Sequence, residues 1–90
     1  MMSEREKVRR IREIVKSEYN YTFTYNDRVA TGRRIKMMQN GYKYRAKTYA
    51  KWDRAIKQKL KKANIEVKTA GFEHLERYGY GDYFAYVVRI

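Results

Sequence analysis

The sequence predicts an α+β fold, with three helices packed on a small antiparallel sheet of three to four strands. Apolar residues recur every three to four positions in 3–18 and 44–63, which is typical of amphipathic helices. Residues 20–25 and 83–90 are instead rich in aromatic and β-branched side chains, which favour strands. A chain of 90 residues that is 43% hydrophobic can build one core, so we expect a single domain over 1–90.

The first helix is predicted over 3–18. Ser3 and Glu6 have the spacing of a capping box, in which the hydroxyl and the carboxylate satisfy free N–H groups at a helix start. Four acids in this segment accompany the bases, which favours a solvated face over a binding surface. The bases concerned are Arg5, Arg9, Arg12 and Lys16.

The strand predicted over 20–25 alternates between aromatic and small polar side chains, so one of its faces is aromatic. Such a face stacks unpaired bases in some single-strand-binding proteins. A chain of this size has few other groups that can cover its helices, so a role in the core is favoured.

A second helix is predicted over 27–39, with Asn26 or Asp27 as its N-cap. Gly32 weakens this helix by about 1 kcal/mol relative to Ala. Its apolar residues also fit one helical side poorly. We expect bases of this segment to extend the basic surface of the next helix, and the candidates are Arg33, Arg34 and Lys36.

The third helix, over 44–63, is the main candidate for binding. Its apolar stripe consists of Tyr49, Trp52, Ile56, Leu60 and Ala63. Its opposite side carries Lys43, Lys47, Lys51, Arg54, Gln58 and Lys61. Asp53 is the only acid from Arg28 to Lys62, so the ion pairs of an ordinary solvated helix are missing. The sequence therefore predicts a cationic face that suits an anion.

The last third of the chain is predicted to be a hairpin or meander. It begins with a strand over 65–69, a tight turn at Ala70-Gly71 and a further strand over 72–78. Residues 83–90 are apolar on both faces and should form the most buried strand. The predicted sheet combines 20–25, 65–69 and 83–90, and the sequence shows no internal repeat.

The positive charge is concentrated in one segment. Residues 28–62 hold 13 of the 22 Lys and Arg and one of the ten acids, a net charge of +12 that equals the charge of the whole chain. A polyanion would neutralise such an excess, and nucleic acid, either DNA or RNA, is the commonest such partner. The predicted phosphate contacts are Arg33, Arg34, Lys36, Lys43, Lys47, Lys51, Arg54 and Lys61, and the predicted stacking residues are Tyr42, Tyr44 and Tyr80.

The sequence favours a soluble protein of the cytoplasm without a membrane partner. No apolar run approaches the roughly 20 residues of a membrane span, and the first residues lack the apolar region of a secretory signal. The absence of cysteine is compatible with a reducing compartment.

Signals of catalysis are weak. Walker A and HExxH motifs are absent, and the sequence places no Ser or Cys nucleophile beside His74, the only histidine. An exposed histidine is favoured over a general acid or base. We therefore predict no catalytic residue, no metal site and no cofactor, and the interpretation leans away from an enzyme.

The predicted order helix, strand, helix, helix, strand, strand matches a winged helix-turn-helix protein. Residues 27–39 and 44–63 would be its helix pair and 70–83 its wing. This interpretation implies DNA binding through 44–63, although a mostly lysine face offers few groups that read base edges.

Two other functions stay open. Without the first helix, the element order resembles the RelE and ParE toxin group, and Gly81-Asp82-Tyr83 followed by Tyr86 and Ile90 is similar to the last strand of that group. The resemblance implies a ribonuclease that cuts messenger RNA on the ribosome with Lys, Arg and Tyr. The other alternative is a small phage-type inhibitor that regulates a nucleic-acid enzyme or a ribonucleoprotein by gripping its nucleic acid or an acidic patch.

Overall fold

The computed structural model describes residues 2–19, 23–29, 32–39, 45–76 and 82–90, with side chains at 2–19, 34–37, 45–74 and 84–90. The elements follow the order α1 (Glu4–Glu18), β1 (Phe23–Val29), β2 (Gly32–Gln39), α2 (Ala46–Lys62), β3 (Thr69–Glu76) and β4 (Asp82–Arg89). The four strands form one antiparallel sheet in the order β1-β2-β4-β3. The predicted α+β class is confirmed. Within the described ranges, neither helix has the length and apolar character needed to cross a membrane.

The element order repeats although the sequence does not. Each half of the described chain contributes a helix followed by two strands, and the sheet order is symmetric about the central pair of β2 and β4. In that pair Ile35 lies opposite Val88 and Met37 lies opposite Tyr86. The two halves are therefore joined along the middle of the sheet.

The core lies between the two helices and one face of the sheet. The helices contribute Val8, Ile11, Val15, Tyr19, Ile56 and Leu60, and the central strands contribute Ile35, Met37, Tyr86 and Val88. Side chains alternate across a strand, so Ala85 and Val87 belong to the face turned away from the helices, and both are nevertheless buried. The described helices thus cover one face of the sheet, and we call the other face, which no described helix covers, the open face.

The prediction of a helix over 27–39 is wrong. The described residues of this segment belong to β1 and β2, and Asn26 and Asp27 lie within β1 rather than at a helix start. Ile35 and Met37 are buried whereas Arg34 and Lys36 are partly exposed, which is the period of two expected for a strand. Pairing of β2 with both β1 and β4 overrides the helical propensity of its Arg, Lys and Met residues.

The strand boundaries after α2 also differ from the prediction. Residues 65–68 are not a strand, and β3 runs without a turn through Ala70 and Gly71. A side-chain carbon placed on Gly71 would meet no other atom within 4 Å, so the glycine is not required by crowding. The last strand is confirmed, with β4 beginning one residue earlier than predicted.

The winged helix-turn-helix order is not formed, because the segment predicted as its first helix is β2. The same strand removes the consecutive helix pair on which the likeness to the RelE and ParE order rested. Tyr86, one of the residues of that likeness, is fully buried. Its hydroxyl is therefore enclosed by the protein rather than presented to a substrate.

Candidate functional site

α2 has the two faces that its sequence predicts. Tyr49, Ile56 and Leu60 are buried and Trp52 is partly buried, which confirms the apolar side. The predicted cationic residues described on the other side are all exposed: Lys47, Lys51, Arg54 and Lys61. Their spacings of four, three and seven residues keep them on one side of the helix, and at 1.5 Å per residue they extend over roughly 21 Å. We call these four residues the cationic stripe.

Aromatic rings fix the first half of α2 on the sheet. The ring of Tyr49 stacks on Phe84 of β4 with centroids 4.7 Å apart, and it meets Phe72 of β3 at 4.9 Å. Trp52 lies 5.4 Å from Tyr19 at the end of α1. Offset and tilted ring pairs of this kind add about 0.5–1.5 kcal/mol beyond the burial of their area. The apolar side of α2 is therefore held in place, and the cationic stripe is turned to solvent.

The single acid of α2 is engaged on the other side of the helix. Oδ1 of Asp53 accepts a hydrogen bond from the hydroxyl of buried Tyr86 at 3.0 Å, and its Oδ2 lies 3.0 Å from Nζ of Lys57. Burial is the largest of the causes that raise the pKa of Tyr86 above its ordinary range. The negative charge of Asp53 and its hydrogen bond with the hydroxyl raise this pKa further. Asp53 therefore supports the packing of α2, and it does not compensate the cationic stripe.

Six of the seven cations of α2, all except Lys62, fall into two groups according to their partners. Lys57 is paired with Asp53, and Nζ of Lys59 lies 2.8 Å from Glu18 and 2.7 Å from the hydroxyl of Ser17 on α1. Within the part of the chain that the structure describes, the stripe residues form no ion pair or side-chain hydrogen bond. Lys59 thus attaches α2 to α1 and Lys57 is paired within α2, whereas the stripe carries uncompensated charge.

α1 provides an internal comparison. Its Arg9 pairs with Glu13 at 2.9 Å and with Glu6 at 4.0 Å, and Arg10 pairs with Glu6 at 3.5 Å. The N-cap part of the capping prediction is confirmed, since the N–H of Glu6 donates to the hydroxyl of Ser3 at 3.2 Å. The Glu6 carboxylate contacts Arg9 and Arg10. The charges of these two bases are therefore compensated on the surface of α1 itself.

The structure separates Arg34 and Lys36 from the stripe. Arg34 and Lys36 alternate with the buried Ile35 and Met37, so they lie on the open face of the sheet, away from the helix layer. Arg34 is paired in register with Arg89, whose guanidinium lies 3.2 Å from Glu73. Arg34 and Lys36 therefore do not continue the cationic stripe.

Five further predicted residues are not placed. Four of them lie outside the described residues: Lys43, Tyr42, Tyr44 and Tyr80. The fifth is Arg33, whose side chain is not among those described.

His74 is exposed and its ring lies 5.1 Å from that of Phe84. Among the described residues, no three His, Asp or Glu side chains are close enough together to hold a metal ion.

The structure adds a residue that the sequence patterns did not single out. Lys68 was part of a predicted strand, but it lies in the segment between α2 and β3, is exposed, and donates its N–H to the carbonyl of Arg89 at 2.7 Å. Asn64, with φ of 56°, reverses the chain after α2 and brings Lys68 near the end of the stripe. The only sequence signal for this arrangement is the asparagine that ends the helix.

Comparisons with protein-family models, with curated proteins and with solved structures find no match.

Proposed function

We propose that the protein is a non-catalytic nucleic-acid-binding protein that contacts phosphates through the cationic stripe of α2. The observation that carries this proposal is the contrast within one helix. Lys57 and Lys59 have acidic partners, whereas Lys47, Lys51, Arg54 and Lys61 are exposed without a partner among the described residues. A polyanion supplies the missing partners.

The physical basis of the affinity is the release of counterions from the nucleic acid. Each phosphate neutralised by a Lys or Arg lowers the slope of log affinity against log salt by about 0.9 for duplex DNA and about 0.7 for single strands. Four stripe residues therefore support a slope of roughly −3 to −4. Binding of this kind is tight at low salt and weak at high salt.

The start of α2 contributes to the same positive potential. Its first turn contains no acid, and the N-cap Arg45 makes no side-chain capping hydrogen bond. The positive end of the helix dipole is thus not offset by an acidic side chain at the end where Lys47 begins the stripe. Lysine side chains are compact charges that do not read base edges in pairs, so the interface grips the backbone with little sequence preference.

The test is fluorescence anisotropy with short single-stranded and duplex DNA and RNA, each titrated over a range of salt. Lys47→Glu with Lys51→Glu should abolish binding and leave the melting temperature nearly unchanged, because both side chains are exposed. The matched control is Arg5→Glu with Lys16→Glu, which makes the same charge change on exposed positions of α1. Unchanged affinity in the folded α2 double variant would defeat the proposal.

The same assay separates the two alternative functions. Weak binding to all four nucleic acids favours an inhibitor whose partner is a ribonucleoprotein or an acidic protein surface. Shortening of the RNA during the titration favours a ribonuclease.

A further inference from the structure

A groove lies directly beyond the end of the cationic stripe. It is bordered by the C-terminal half of α2 and by the segment that leads to β3, and its volume is about 810 Å³. The residues that matter for its chemistry are Leu60, Lys61, Ile65, Val67, Lys68 and Ala70. Lys61 belongs both to the stripe and to the groove.

The backbone hydrogen bonds make the groove a fixed feature. The N–H of Asn64 donates to the carbonyl of Lys61 at 3.1 Å, and the N–H of Ile65 donates to that of Leu60 at 3.0 Å. With Asn64 in the left-handed region, these bonds turn the chain back beside α2. The bond from Lys68 to Arg89 then anchors the far end of the segment to the sheet.

The groove has an apolar floor and a cationic rim. Leu60 and Ile65 are 3% and 6% exposed, and Val67 and Ala70 are partly buried against the core. Lys61 and Lys68 are exposed on the rim and have no ion pair in the described part of the chain. Glu66 is the acid that lines the groove, and Lys57 is already held by Asp53. The rim is therefore net positive.

We infer that this groove receives a base and sugar of single-stranded nucleic acid, with Lys61 and Lys68 on the flanking phosphates. The inference rests on the proposed function and names the strand type that the same surface prefers. A single strand presents bases that can enter an apolar groove, whereas a duplex keeps its bases stacked and must flip one out at a cost of a few kcal/mol. Both ligands contact the stripe, but the groove distinguishes them.

The experiment compares single strands of about 12 nucleotides, a size within the range that one small domain covers, with blunt-ended duplexes of the same length, which have no unpaired loop. Val67→Met extends a longer, non-aromatic side chain into the groove without changing the charge. It should lower single-strand affinity about tenfold and leave duplex affinity unchanged, since the base loses the space that it occupies, and a tenfold loss corresponds to about 1.4 kcal/mol. Lys68→Gln should reduce the single-strand salt slope by about 0.7, and Lys16→Gln on α1 is the matched control.

The possible outcomes separate the two proposals. If the wild-type protein binds no nucleic acid, the proposed function fails and the groove inference fails with it. If the wild-type protein binds duplexes at least as tightly as single strands, or if folded Val67→Met and Lys68→Gln variants bind single strands as the wild type does, only the groove inference fails. A glutamate oligomer that binds more tightly than the oligonucleotides, and loses affinity in the Val67→Met variant, overturns the inference in favour of an acidic protein partner.

Discussion

The hydroxyl of Tyr86 donates a hydrogen bond to Asp53 at 3.0 Å, which links the centre of the sheet to the one acid of α2. Tyr86 is fully buried, and Asp53 is partly exposed and also paired with Lys57. Together with the ring contacts of Tyr49, the bond holds α2 in one rotation on the sheet, and the side of α2 that faces solvent depends on that rotation. An acid in a basic helix thus helps to orient the cationic stripe.

We expect Asp53→Ala to destabilise the protein more than Tyr86→Phe. Removing the carboxylate leaves a buried hydroxyl without its acceptor, at a cost of about 1–3 kcal/mol, whereas removing the hydroxyl leaves an acid that water can reach. Urea unfolding of both single variants and the double variant forms a double-mutant cycle. Additive losses in this cycle would show that the bond does not couple the two residues.

The raised pKa of Tyr86 predicts a loss of stability at alkaline pH. In the unfolded chain this phenol ionises above a pH of about 10, but in the folded protein it stays protonated. Above pH 10 the unfolded state therefore binds fewer protons than the folded state. The stability that the phenol of Tyr86 contributes is complete below pH 10 and falls by up to about 1.4 kcal/mol per pH unit above it. Tyr86→Phe should show a flatter pH dependence than the wild type between pH 10 and pH 11, roughly one unit above the ordinary value. Parallel curves for the two proteins would contradict the assignment.

Lys59 and Lys61 form a matched pair two residues apart on α2. Lys59 is held by Glu18 and Ser17, whereas Lys61 lies on the cationic stripe. Lys59→Ala should lower stability by about 0.2–1 kcal/mol, as usual for partly exposed ion pairs, and hardly affect nucleic-acid affinity. Lys61→Ala should have the opposite profile. Equal effects of both variants on affinity, measured by anisotropy, would mean that charge alone, and not the stripe, determines binding.

Trp52→Ala tests the assignment of the apolar side of α2. The ring of Trp52 lies 5.4 Å from Tyr19 and 5.8 Å from Tyr49, so truncation should destabilise the fold by about 3 kcal/mol. Thermal unfolding monitored by circular dichroism measures this loss. A variant that keeps its melting temperature and loses binding would place Trp52 in the interface.

Both helices were predictable because each buries one continuous stripe. The predicted ranges 3–18 and 44–63 correspond to Glu4–Glu18 and Ala46–Lys62. β2 was not predictable in the same way. In the sequence its alternation covers only Arg34 to Met37, and its pairing with β1 on one side and with distant β4 on the other makes it a strand.

The site was predictable in its charges but not in their partners. Helical periodicity placed Lys47, Lys51, Arg54 and Lys61 on one side of α2, where they are exposed. No sequence pattern indicates that Lys59 meets Glu18 of α1, since contacts between helices depend on the tertiary packing. For the same reason, the sequence did not indicate that Arg34 and Lys36 lie on the open face of the sheet, away from the cationic stripe of α2.

The sheet order β1-β2-β4-β3 has a consequence for how the chain folds. Each hairpin pairs strands that are neighbours along the chain, β1 with β2 and β3 with β4, so it closes a short loop. The pairing of β2 with β4 closes a long loop. We therefore expect the two hairpins to form early and the pairing of β2 with β4 to form last. Stopped-flow kinetics of Ile35→Val and Val88→Ala should show faster unfolding with little change in the folding rate. Slower folding in these variants would place the pairing of β2 with β4 in the folding nucleus instead.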